Sequence, residues 1–310
     1  MARRRLLTGD ERQRLFDPPV EEIAIIGHYT LSAEDVELVG RRYGPANRLG
    51  LAAQIALMRH PGFGLQPEIG LPDVILQYLA AQLFVDPSSF SAYGQRAQTR
   101  TDHADLVARY LGIRPFRRGD LALALNLAAQ AAEYTDRGEP IVRALMVGLK
   151  GERFILPSGD TLERAGLAGR ARARKAAAAA IVEGLSSAEL TRLDELVINN
   201  PDFGMTPLAW LRNFKEAPTA ANINGLLERL RYVRGISVDP AVGGAIPEFR
   251  FTQFLREGGV APAFLLSDYS VNRRRATLTA AVIDLEARLA DAAVQMFDRL
   301  IGGMFTRARR

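Results

Sequence analysis

The sequence predicts an all-α protein: tandem helical domains followed by one long helix. Three observations carry that prediction. Helix-start signals recur along the chain, with Thr8 ahead of Glu11, Ser32 ahead of Asp35 and Ser186 ahead of Glu189, each at the capping-box spacing of three. Most of the segments between such signals are helix-like, and only ERFILP at 152–157 reads as extended, too short to make a sheet by itself. Near the end, Leu278, Val282, Leu285, Leu289, Ala292 and Met296 return every three or four residues, a coiled-coil-like seam.

The elements follow in order. Thr8 caps a first short helix. Asp17-Pro18-Pro19 supplies a cap and helix-compatible prolines ahead of VEEIAIIGHY at 20–29. Ser32 and Asp35 open SAEDVELVGRR, Gly44-Pro45 ends it and starts the next helix, and Pro61-Gly62 stops that helix after Arg59. LPDVILQYLAAQLF, TRTDHADLVARYLG, GDLALALNLAAQAAEYT and EPIVRALMVGLKG read as further helices. From Ser158 the chain is Ala-rich and helical. WLRNFKEAPTAANINGLLERLRYVRG reads as a helix, a break at Ala217-Pro218 and a second helix capped by Thr219. GISVDPAVGGAIP is the most loop-like stretch, and the last helix starts at about Ser270. The expected domains are 1–157, 158–267 and a long helix over 268–310.

Composition narrows the function. The chain has 310 residues, no cysteine and a net charge of +5. The missing cysteines exclude disulfides, zinc fingers and thiol nucleophiles and fit a reducing cytoplasm. No apolar run approaches the ~20 residues that cross a bilayer, so no membrane partner is expected. The basic residues are almost all arginine, the only lysines being Lys150, Lys175 and Lys215. Arginine pairs bidentately with phosphate and guanine, which suits nucleic acid; a GC-rich genome yields the same bias.

Two segments have a helix-turn-helix layout. In the first, 32–42 leads through Tyr43-Gly44 into the helix 45–59. On its wheel Asn47, Gly50 and Gln54 form one narrow polar stripe and Arg48 and Arg59 another, with apolar residues filling both sides. The helix is therefore expected to be wedged between other elements with polar slits open, and Arg41 and Arg42 stand at its entry, where phosphates would lie. A core helix with internally satisfied polar groups gives the same pattern. In the second, Ile223, Leu226, Leu227, Leu230 and Val233 share one face of the helix after Thr219, leaving Asn222, Gly225, Arg229 and Tyr232 outside. Asn pairs with adenine, Arg with guanine and Tyr with phosphate; an ordinary solvated face is the alternative. Arg170, Arg172, Arg174 and Lys175 crowd one helix, either tracking phosphates or simply solvated. Arg273, Arg274 and Arg275 oppose the dipole at the start of the last helix, so an anion is expected there, Asp268 or a DNA phosphate.

Other chemistry is missing. His28, His60 and His103 have no ligand spacing, no phosphate loop or nucleophile elbow is present, and a metal-binding acidic triad is not distinguishable from solvated carboxylates. The segments MARRRLLTGDERQRLF, HYTLSAEDVELVGRRYGPANRLGLAAQIALMRHPG and RRRATLTAAVIDLEARLADAAVQMFDRLIGGMFTRAR resemble the N-terminal part of Tn3-family transposases. Arg41, Arg42, Asn47 and Arg48 fall on the most specific of these strings. The resemblance implies binding of double-stranded DNA at the terminal inverted repeats of a replicative transposon, in the bacterial cytoplasm and on the nucleoid. It also implies a homodimer of the full-length protein. A Mg2+-dependent catalytic domain is implied only downstream, so this chain is expected to be no enzyme and to need no cofactor. A helical self-assembly module using the 278–300 seam, or a truncated transposase acting as a repressor, are the rival readings.

Overall fold

Residues 5–65, 71–95, 97–215 and 217–309 are described in a computed structural model. The capping boxes expected at Thr8, Ser32 and Ser186 all form, each hydroxyl accepting from the amide three residues on while that residue's carboxylate accepts in return. They open α1 (Gly9–Phe16), α3 (Ala33–Gly40) and α10 (Ser187–Glu195). α2 (Glu22–Tyr29) begins later than the prolines suggest; its N-cap is Glu21, which makes no side-chain cap, and Pro18 and Pro19 lie in the connection.

Among the described residues the chain forms fifteen α-helices, and two compact units divide it, Met1–Arg170 and Ala171–Arg310. The division falls inside a helix, thirteen residues beyond the expected boundary at 157. The first unit continues with α4 (Pro45–Arg59), α5 (Asp73–Leu83), α6 (Ala97–Leu111), α7 (Leu121–Ala132), α8 (Gly138–Gly151) and the first half of α9 (Gly159–Glu183). ERFILP contributes the two-residue strand β2 (Phe154–Ile155), which pairs in parallel with β1 (Arg114–Pro115), so that Arg114 lies opposite Phe154.

α4 is the axis of this unit. Leu49, Ala53, Ala56 and Leu57 pack on Ile25 and Tyr29 of α2 and on Ile75, Leu79 and Ala80 of α5. Leu51, Ala52, Ile55 and Met58 pack on Val39 of α3 and Val107 of α6. Both sides of the helix are thus core, as its two apolar flanks predict.

The second unit holds the rest of α9, α10, α11 (Pro207–Arg212), α12 (Ala220–Ile236), α13 (Glu248–Val260), α14 (Ala263–Ser267) and α15 (Val271–Ala308). Leu278, Val282, Leu285, Leu289 and Met296 of α15 are buried against Leu226, Leu230 and Val233 of α12, Leu193 of α10 and Leu208 and Leu211 of α11. The seam expected at 278–296 is therefore occupied by its own unit. α13, which the sequence reading passes over, lies against α15 and buries Phe254 with Ala276, Ala280 and Ile181.

Candidate nucleic-acid interface

In the first unit α4 is exposed at its first turn and half-buried at Arg59, its last residue. Arg41, Tyr43, Pro45 and Arg48 are exposed and Arg42 and Asn47 half-buried, whereas Leu49 to Met58 are all buried. The turn into α4 has a defined shape. Gly44 sits at φ +82°, a backbone region that L side chains avoid. Asn47 Nδ2 donates to the carbonyl of Tyr43 at 3.0 Å, and Arg48 Nε to that of Arg42 at 3.0 Å. Arg41 pairs with Glu37 on the surface at 2.6 Å. Arg42 Nε is buried with no hydrogen-bond partner, and the Arg42 charge lies close enough to reinforce burial in pushing the His103 pKa down. Gly44 gives α4 no side-chain cap, so the positive end of the helix dipole adds to these three cations.

Further along α4 the expected open slits are closed. Gln54 is 2 % exposed; its Nε2 donates to the hydroxyl of Tyr93 and the carbonyl of Arg100, at 2.9 and 3.0 Å. The residue expected to face outward is a buried tie between helices, because the Tyr93 ring fills the space beside it. A Cβ built on Gly50 would stand 2.1 Å from that ring, so the glycine admits a tyrosine and not a DNA backbone. Arg59, half-buried, is likewise committed to a protein partner. Its guanidinium grips Asp35 through two bonds of 2.5 and 2.6 Å, and Asp35, 0 % exposed, also accepts from Tyr110 at 2.8 Å. Burial works against the Asp35 charge, but Arg59, the Ser32 amide and Tyr110 outweigh it and hold the carboxyl below its usual range. The wheel fails at Gln54 and Arg59 because their partners come from other helices.

The second unit departs in the same way. Arg229, placed outside by the wheel, lies 4.5 Å over the Trp210 ring and donates to the carbonyls of Trp210, Gly225 and Asn213 at 3.0, 2.9 and 3.0 Å. It caps the carbonyl end of α11, where a cation is favoured, and is not aimed at a base. Tyr232 is half-buried, edge-on to Trp210 and Phe203. Asn222 donates to the Ala217 carbonyl at 2.8 Å while its amide donates to the Thr219 hydroxyl. Leu227, assigned to the core, is 36 % exposed. The outward side of α12 carries Asn224, Leu227, Glu228 and Arg231. Asn224 and Arg231 are outward residues that the sequence reading does not name. The signal was present: centred on Leu226, Leu230 and Val233, a wheel puts Arg229 roughly 70° from the core direction and Arg231 roughly 130° from it.

Of the α9 cluster, Arg170 is half-buried and donates to the Asp136 carbonyl within the first unit, at 3.0 Å. Arg172, Arg174 and Lys175, counted with the second unit, are exposed. The anions at the start of α15 are protein carboxylates, and not the expected Asp268. Arg274 and Arg275 share Asp194, at 3.0 and 2.7 Å, and Arg273 pairs with Glu257 while lying 3.7 Å over the Tyr269 ring. Three cations at a helix start thereby share two carboxylates, one from α10 and one from α13.

Among the described residues no group of three or more His, Asp or Glu is placed to hold a metal, and no helix is long and apolar enough to cross a membrane. Comparison with known sequences places this geometry in a family. Residues 6–168 match the family described as a domain of unknown function (DUF4158). The whole chain is 32 % identical over 309 residues to the transposase for transposon Tn501 of Pseudomonas aeruginosa, covering 31 % of that protein. It is 33 % identical over 309 residues to the transposase for Tn3926 of Escherichia coli, covering 31 % of that one. With the transposase for Tn1546 of Enterococcus faecium, identity is 27 % over 99 % of this chain and 31 % of the relative. The chain thus spans about a third of the length of the curated relatives it matches. Matched by the family over more than half its length and by these transposases throughout, it belongs to the DUF4158 family and is homologous to the N-terminal part of Tn3-family transposases.

Proposed function

We propose that this chain binds duplex DNA and selects the terminal inverted repeats of a transposon. The observation that carries the reading is the turn at Arg41–Arg48: a cation-rich, hydrogen-bonded corner at the exposed start of a buried helix, in a chain whose relatives are transposases. A helix-turn-helix of this kind presents its second helix end-on, so Arg41, Arg42, Asn47 and Arg48 supply the contacts of the first unit. In the second unit the outward side of α12, with Asn224 and Arg231, takes the place assigned from sequence to Arg229 and Tyr232, and Arg172, Arg174 and Lys175 add exposed positive charge on α9. We assign strand cleavage with its Mg2+, and pairing of two full-length subunits, to sequence outside this chain.

A titration of the chain with a transposon-end fragment and a scrambled duplex, at two salt concentrations, tests the reading. Tighter binding of the end fragment is expected, with a log–log salt slope of about 0.9 per neutralised phosphate. Equal affinity for both duplexes defeats the selectivity. Self-assembly through the α15 seam is disfavoured, since Leu278, Val282, Leu285, Leu289 and Met296 are already buried within the unit. A truncated transposase acting as a repressor would use the same DNA surface.

A further inference from the structure

The most exposed ring beside the cationic turn belongs to Tyr43, which is 94 % exposed. Such exposure in a frayed loop would mean little, but this backbone is held on every side. The Arg42 and Tyr43 carbonyls accept from Arg48 Nε and Asn47 Nδ2, the Gly44 carbonyl accepts from the Arg48 amide at 3.2 Å, and the Arg42 amide donates to Val39 at 3.0 Å. Asn47 and Arg48 therefore spend part of their bonding capacity fixing the turn, and the result is a phenol standing clear of the protein on a turn that also carries Arg41, Arg42 and Arg48.

We propose that Tyr43 is a sequence-independent contact to the DNA backbone, its ring lying on a deoxyribose and its hydroxyl donating to a phosphate. The chemistry matches on both counts. The sugar offers C–H surface to the ring, the phosphate offers acceptor oxygens to the O–H, and tyrosine is among the side chains that bond DNA phosphates. The flanking arginines draw phosphates to this place. Phe84 is equally exposed, at 96 %, but has no hydroxyl. Tyr43 thus acts as a positioning contact that sets how the open end of α4 meets the duplex.

This inference rests on the DNA-binding reading above, and the experiment separates the two. Tyr43→Ala and Tyr43→Phe are made in the full 310-residue chain and titrated against the end fragment and the scrambled duplex at two salt concentrations. Tyr43→Ala is expected to weaken both duplexes by the same factor, about tenfold, and Tyr43→Phe by about threefold, the share of one hydrogen bond. The salt slope stays unchanged because no cation is removed. A photo-crosslinking benzoylphenylalanine at position 43 is expected to attach to either duplex. Unchanged affinity of Tyr43→Ala while the wild type binds overturns the contact and leaves the DNA-binding reading standing. A loss confined to the end fragment overturns the backbone assignment in favour of base reading, and weakened binding without any crosslink makes the effect indirect and overturns it too. If the wild type binds neither duplex, the DNA-binding reading fails and this inference falls with it.

Discussion

In α4 every residue from Leu49 to Met58 is buried, whereas in α12 the buried residues are Leu226, Leu230, Val233 and Ile236, one side of the helix. Each is the longer of two consecutive helices, and each carries amide and guanidinium side chains. Their environments differ because α4 has packing partners on both flanks, α2 and α5 on one and α3 and α6 on the other, while α12 lies against α10, α11 and α15 and leaves its opposite side open. A polar residue midway along α4 must therefore be satisfied by protein. One midway along α12 faces either a neighbouring ring or solvent according to its angle. Only the first turn of α4, but the whole outer length of α12, is free to meet a ligand.

The sharpest break in this comparison is at Arg59. Removing it leaves the buried Asp35 with Tyr110 and the Ser32 amide but without its cation, which is itself 35 % exposed, so Arg59→Ala is expected to cost about 3 kcal/mol of stability, measured by urea unfolding. If stability holds and DNA affinity alone falls, Arg59 is a contact after all. A second pair of variants asks about glycines. Gly50→Ala drives a methyl into the Tyr93 ring and is expected to cost about 2 kcal/mol, as overpacking does. Gly225→Ala meets only the tip of Arg229, at 3.4 Å, and is expected to be neutral or to gain up to about 1 kcal/mol from helix propensity. Equal effects at the two positions would mean that α4 and α12 are buried alike.

Much of this architecture is legible in the sequence because its causes are local. A hydroxyl three residues before a carboxylate, a Gly-Pro break and two apolar flanks on one wheel depend on neighbours along the chain, and α1, α3, α4 and α10 follow from them. What was not legible depends on distant partners. Arg274 and Arg275 meet an aspartate about eighty residues earlier, and Arg59 one 24 residues earlier. No periodicity announces such a pair. α13 escaped for another reason: its apolar residues are interrupted by Arg250, Gln253, Arg256 and Glu257, and Arg250 is itself buried. The candidate site suffered most, since a wheel gives directions only relative to its assumed centre. Counting Leu227 with the core turned the reading of α12 towards Arg229 and away from Arg231.

All three histidines lie in the first unit, so acid should loosen that unit before the other. The His60 ring stacks on His28 with centroids 3.7 Å apart. Burial, then the charges of His28 and Lys150, push its pKa from 6.5 down to about 4. The unfolded chain takes up this proton near pH 6.5 while the folded one does not until about pH 4. Stability from this group is thus present above 6.5 and is lost as the pH falls towards 4. His60→Gln should flatten the melting temperature against pH across that window. An unchanged slope would assign acid sensitivity to other groups.

The smallest expected effect discriminates most finely, because it sets two arginines of one helix against each other. Arg229 is spent on three carbonyls and an indole, so Arg229→Ala should cost about 1 kcal/mol of stability through the lost helix cap, with DNA affinity changing only as folding does. Arg231 is exposed on the outward side, so Arg231→Ala should leave stability within about 0.5 kcal/mol of wild type. If Arg231 neutralises a phosphate, its loss lowers the salt slope by about 0.9. If it reads a base, the end fragment loses affinity and the scrambled duplex does not. The opposite assignment, binding lost at Arg229 with the fold intact and nothing lost at Arg231, would mean that DNA approaches α12 from the Trp210 side and displaces the guanidinium from its carbonyls. The outward side would then be an ordinary solvated surface, and the DNA contact of α12 would lie at its boundary with α11, unlike that of α4 at an exposed first turn.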